Sequence, residues 1–275
     1  MRKLLPTALL ILFAAHAVAE SQAVLSREDI DRLNKELLAK AGLSVPDSTE
    51  IRIVSANQFL FKNNSRINQS NDDAAKEIRD YLAMNREQQK NGFVKSSEPR
   101  AKELLEMEKT SLYHKEKYKH VFSFKSTHLR ATSEELKLAY TFAGVPKEDM
   151  NVNIGVAPYG AYKEVKNGDE ADGWDGAVQF FVKNGIGSCA FTEHNRKLAR
   201  TGVELIKELV TYEVHDKPTV ILVKGNEKSG FVYKIEWYDP VFSRELECAS
   251  PKFSAQLRAD VISLANHIES YQQAQ

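Results

Sequence analysis

From residue 176 to residue 250 the apolar positions fall mostly at alternate residues, the spacing of strands that bury one face. Residues 176–192 read as one long strand with a glycine-softened middle, placing Cys189 and Phe191 on the same face. Residues 219–223 are short and β-branched, and Phe231, Tyr233, Ile235 and Trp237 then alternate without a break. Between them, residues 225–230 open and close on glycine, as a hairpin connection does. Asp239-Pro240 makes the next turn, into a strand whose Phe242, Leu246 and Cys248 share a face. Residues 150–162 supply a further strand.

Helical spacing interrupts and flanks this block. Asn195 is placed to cap a helix with Leu198, Leu205 and Leu209 on its buried face, and Ser254 to start a final helix with Leu257, Val261, Leu264 and Ile268. Upstream, Ser26 and Asp29 resemble a capping box ahead of Ile30, Leu33, Leu37 and Leu38, and Gly42 with Pro46 stops that run. Residues 50–61 put Ile51, Ile53, Phe59 and Phe61 on one side, the pattern of a strand, and the Asn- and Ser-rich residues 62–73 read as a loop. From 73 to about 119 the pattern predicts a helical hairpin. Its first helix carries a narrow stripe of Ile78, Tyr81 and Leu82 and stops at Asn91-Gly92; its second opens at Pro99 and aligns Leu104, Met107, His114 and Tyr118. Stripes this thin suit helices that stand off the core or wait for a partner. Residues 121–124 read as a short strand. Thr132 or Ser133 could cap a helix through Phe142, although the alternation of Leu136, Leu138, Tyr140 and Phe142 fits a strand equally.

Hairpins joined by short turns require antiparallel pairing. The fold class is therefore α+β: a twisted antiparallel sheet covered by helices, preceded by a largely helical N-terminal region with a helical hairpin. The expected organisation is an export signal over 1–19, a mainly helical region over 20–149, and an α+β domain with a disulfide over 150–275.

The signal is read from the positive Met1-Arg2-Lys3, an apolar run over 4–15 too short to span a bilayer, and the small-residue cleavage site Ala17-Val18-Ala19. No later stretch is long and apolar enough for a membrane span. In an oxidising compartment the chain's two cysteines, Cys189 and Cys248, favour one disulfide over a metal site. If their strands are neighbours, the pair meets at about 5.5 Å between Cα atoms, within disulfide reach. Cys189 is not read as a nucleophile, because a strand precedes it and a natural partner exists.

Overall charge is balanced at neutral pH, which argues against a generic nucleic-acid binder. The sequence contains none of the usual phosphate-loop, dinucleotide, zinc-protease or serine-hydrolase motifs. No catalytic, metal or cofactor residues are assigned. The acidic residues Asp169, Glu170, Asp172 and Asp175 depart from the calcium-loop spacing, and Trp174 beside them is a candidate partner anchor. Tyr113, Lys115, Lys117, Tyr118 and Lys119 form a basic, aromatic second contact candidate. Export without enzyme motifs predicts a soluble, non-catalytic assembly, adaptor or interaction component of the bacterial periplasm, or a secreted one, binding an envelope protein or a second copy of itself. The alternative is an envelope small-ligand or glycan-binding protein, or a hydrolase, with its site in a cleft between sheet and helix.

Overall fold

The computed structural model describes residues 50–59, 69–107, 129–163 and 172–274. Along the chain these form β1 (Ile51–Val54), α1 (Gln69–Asn91), β2 (Val94–Lys95) and a helix α2 described over 99–107. Next come β3 (Val152–Lys163), β4 (Gly173–Lys183), β5 (Gly187–Asn195), the single turn α3 (Arg196–Ala199), β6 (Val203–Ile206) and β7 (Val210–Val214). The chain closes with β8 (Lys217–Asn226), β9 (Gly230–Tyr238), β10 (Phe242–Ser250) and α4 (Ala255–Gln273).

The main sheet runs β2-β8-β9-β10-β5-β4-β3, with β7 also paired to β8. All its pairings are antiparallel except β2 with β8. A small second sheet pairs β1 and β6 in parallel. The fold is thus a mixed α+β one built on a large, mostly antiparallel sheet.

One face of the sheet follows directly from the alternation. Phe231, Tyr233, Ile235 and Trp237 of β9 lie in register with Val223 and Ile221 of β8 and with Cys248 and Leu246 of β10. That row continues through Cys189 and Phe191 of β5, and all of these side chains are buried. Over them lies α4, whose Leu257, Val261, Leu264 and Ile268 are buried as its spacing predicts. Each such side chain contributes about 1.5–3 kcal/mol on burial. The Ser254 hydroxyl accepts the Leu257 N–H at 3.2 Å and caps the helix. The extended segment holding Phe142 and Val145 covers the rest of this face.

The opposite face carries Ala190 and Ala249, small side chains that let α2 approach, and Leu104 of α2 is fully buried there. Leu104, the first residue of the expected stripe, is therefore seated on the sheet over these residues. Helix α1 docks differently. Its buried Gln88 donates to the Ile221 carbonyl at 2.9 Å and accepts the Val223 N–H, so a side chain occupies the stretch of the β8 edge between β7 and β2. Those backbone groups would otherwise be buried without partners. Gly92, at φ +84°, ends α1 where the Asn91-Gly92 pair predicts. The part of the expected hairpin from 108 to 119 lies outside the described residues.

Several expectations are corrected. Residues 176–192 are not one strand but the hairpin of β4 and β5, turning at Asn184-Gly185-Ile186 with Gly185 at φ +82°. The helix expected after Asn195 is a single turn. Asn195 does cap it, accepting the Leu198 N–H at 3.0 Å, but Arg200 at φ 54° ends it, and Leu205 belongs to β6. The strand expected over 50–61 is only β1, followed by a helical turn at 56–59. The loop expected over 62–73 is overtaken from Gln69 by α1. Thr132 heads only the 3-10 turn Ser133–Glu135, and Leu138 forms a bridge to Trp174, so the alternation at 136–142 describes extended chain. The features expected over 1–49 and 121–124 lie outside the described residues.

The disulfide forms between directly opposed residues of β5 and β10. The sulfurs are 2.07 Å apart and the Cα atoms 4.1 Å, closer than expected.

Candidate functional site

The connected end of the β3–β4 hairpin, where the chain passes from Lys163 to Gly173, gathers exposed aromatic residues. A register shift in β3 falls between Tyr159 and Tyr162, with Gly160 at φ +77° inside it. Such a bulge re-aims side chains and ends regular pairing. Here it leaves Tyr159 at 47 % and Tyr162 at 39 % exposure. Trp174, the expected anchor, stands opposite Tyr162 in β4, half-buried, with their rings edge-to-face at 5.5 Å and 84°. Its backbone is fixed on both sides: its N–H donates to the Lys137 carbonyl at 2.8 Å, and its carbonyl accepts the Ala139 N–H at 2.9 Å. The Trp174 backbone is therefore held in place, as an anchor requires.

Charged groups frame the rings. Lys137 is ion-paired to Asp172 and lies 5.6 Å above the Tyr162 ring centroid. The hydrogen bond to Asp172 holds this exposed ammonium above its ordinary pKa and the Asp172 carboxyl below its own. Beneath the surface, Asp175 is completely buried and accepts the Ala161 N–H at 2.7 Å. His194 Nε2 lies 3.4 Å from its Oδ1 and Lys163 Nζ 3.4 Å from its Oδ2, and Tyr159 packs edge-on against the His194 ring at 5.7 Å. Gly160 permits this arrangement, because a Cβ there would collide with Asp175 Oδ1. The bulge therefore turns Tyr159 outward over a buried, charge-balanced base.

A second place of interest is a cleft of about 200 Å³ between α1 and the outer face of β8–β10. Tyr81 and Asn85 form one wall, and Val220, Leu222, Lys224 and Lys234 line the floor. Lys234 Nζ bridges Glu236 at 3.0 Å and Glu245 at 2.8 Å, two carboxylates paired directly across the strands. Burial alone would depress the Lys234 ammonium, but the flanking carboxylates hold it above its ordinary value. Burial in turn pushes the Glu245 carboxyl up.

A third group is internal. Arg244 Nε donates to Glu193 Oε2 at 2.7 Å and Nη1 to Asp239 Oδ2 at 2.6 Å, while Glu269 Oε2 of α4 lies 3.3 Å away. Glu269 also accepts from Trp237 Nε1 at 2.7 Å and pairs with Lys217 at 2.8 Å. These contacts tie the last turns of α4 to the sheet.

Of the residues singled out by sequence, Cys189 and Cys248 form the disulfide and Trp174 lies at the aromatic end. Tyr113, Lys115, Lys117, Tyr118 and Lys119 lie outside the described residues, as do Asp169 and Glu170. Tyr159, Tyr162 and His194 were not singled out. The available signal was Gly160 between two tyrosines, where alternation breaks inside an otherwise regular strand. Among the described residues, no helix is long and apolar enough to cross a membrane. Comparison with protein-family models, with curated proteins and with solved structures gives no match.

Proposed function

We propose that the protein is an exported, non-catalytic interaction component of the bacterial cell envelope, contacting a protein partner through the aromatic end of the β3–β4 hairpin. The observation that carries this reading is the exposure of Tyr159 and Tyr162 beside Trp174, on backbone fixed by pairing and by the Asp175 base. Aromatic side chains on rigid backbone bind with little loss of rotamer freedom and dominate protein interfaces. Export rests on the first nineteen residues, and the buried disulfide is compatible with an oxidising compartment.

The test is site-specific photocrosslinking in intact cells, with a photoreactive residue at Tyr159, at Tyr162, or at exposed Lys252 as a control. A discrete adduct from both tyrosines and none from Lys252 is the expected result. Labelling that is the same at all three positions, or absent at all three, would reject the proposed surface.

A second reading is supported by the α1–sheet cleft, whose lining includes Tyr81, Lys234 and Glu236: a small polar ligand or a glycan would bind there. Titration calorimetry with short oligosaccharides should then give saturable heat that Tyr81→Ala and Glu236→Gln each weaken at least tenfold. Equal heat for the native chain and both variants would remove the cleft from consideration.

A further inference from the structure

Two carboxylates and one guanidinium share the protein interior under the end of α4. Glu193 and Glu269 are each 1 % exposed and Arg244 is 6 % exposed. Asp239 and Lys217, at 18 % and 16 % side-chain exposure, flank them at the rim and offset one another. The directly paired group, Glu193, Glu269 and Asp239 with Arg244 and Lys217, would thus hold one negative charge too many when fully ionised, while the neighbouring buried Arg196 of α3 donates to the Asp239 and Glu50 backbone carbonyls. Buried charge in excess of its partners is relieved by taking up a proton. Three charged groups act on Glu193. Arg244 comes from β10, Asp239 from the β9–β10 turn and Glu269 from α4. Tyr140, from the covering segment, donates its hydroxyl to the Glu193 backbone carbonyl at 3.2 Å.

We infer that the Glu193–Arg244–Glu269 cluster is a proton-binding latch, which holds α4 on the sheet most firmly below neutral pH and relaxes as the surroundings turn alkaline. Glu269 is the link between proton and helix, since it ties α4 to Trp237, to Lys217 and to the Arg244 that Glu193 shares. Burial raises the Glu193 carboxyl to about 7 against the opposing pull of Arg244. The sign follows from linkage. Between the ordinary glutamate value and about 7, the folded state keeps a proton that the unfolded chain has released, so stability falls as pH rises through this window and levels off above it.

The experiment compares denaturant unfolding of the native chain and of Glu193→Gln from pH 5 to pH 8. Glutamine keeps an oxygen for Arg244 and cannot ionise. Between those limits the native folding constant should fall on the order of fiftyfold more than that of the variant. Amide exchange in the last two turns of α4 should quicken with pH beyond the intrinsic dependence in the native chain only. Parallel pH profiles for the two proteins would overturn the latch. Should Glu193→Gln fail to fold, infrared spectroscopy of the native protein decides. A buried, protonated carboxyl band present at pH 6 and lost by pH 8 supports the proposal, and no such band at either pH refutes it.

Discussion

Replacing Cys189 and Cys248 together with alanine should lower the unfolding free energy by about 4 kcal/mol, with a fall in melting temperature of roughly 10 °C. The bridge spans 59 residues of sequence and closes a loop that contains α3, β6, β7, β8 and β9. In the unfolded chain it removes the entropy of that large loop, which is the source of the estimate. Both cysteines are buried in the row that packs under α4, so alanine also leaves two small voids and the loss should not fall short of the entropic figure. Reduction of the native protein should reproduce most of the effect. Denaturant unfolding with and without reductant measures it, and an unchanged midpoint after verified reduction would contradict this account. The folded double variant should keep its tyrosine crosslinks, because neither cysteine touches the aromatic end of the hairpin.

What the sequence conveys here depends on how local the determining physics is. The final helix was legible because its cap, its start and its buried spacing all lie within fifteen residues: Ser254 through Ile268. The cysteine pair was legible because alternation gave each its face and two cysteines leave only one pairing. The β4–β5 hairpin was missed because apolar alternation resumes directly after Gly185, and Asn184-Gly185 was read as softening rather than as a turn. The β7–β8 hairpin was hidden for the opposite reason. Its two-residue turn is His215-Asp216, with φ values of 47° and 61°, a conformation that glycine or asparagine usually announces. The helix expected through Leu209 had helical spacing by coincidence, since Leu205 and Leu209 serve β6 and the 3-10 turn after it.

The functional candidates divide along the same line. Trp174 stood out as a large aromatic residue among acids, and the structure adds Tyr159 and Tyr162 only through a bulge. The internal cluster drew no attention, although one signal existed. Arg244 occupies the same parity as Phe242, Leu246 and Cys248, and Glu193 the same parity as Cys189 and Phe191. A charged residue on the apolar face of a strand is either an error in the register or a buried, paired charge. Two of them on adjacent strands, opposite in sign, pointed to a pair. Their third member, Glu269, lies on a helix, and only tertiary structure brings it into contact.

The strongest test of that cluster is Arg244→Met. The substitution preserves much of the side-chain volume but removes the one cation that Glu193 and Glu269 share inside the protein. Breaking a buried pair costs about 3–5 kcal/mol, because the partner left behind is charged and unsolvated. Here Glu193 is left without its cation while Glu269 keeps Lys217, and the Phe242 ring loses the guanidinium 4.7 Å above it. The loss should approach the upper end of that range at pH 8. It should shrink as pH falls, since a protonated Glu193 no longer needs the cation and can donate a hydrogen bond instead. The pH dependence of the variant should therefore be steeper than that of the native chain, whereas Glu193→Gln makes it shallower. Opposite changes in slope from two substitutions at opposed residues would separate proton binding from simple loss of packing. A loss from Arg244→Met that is equal at pH 5 and pH 8 would mean that the arginine matters through its contacts alone and that the carboxylates beside it do not exchange a proton in this range.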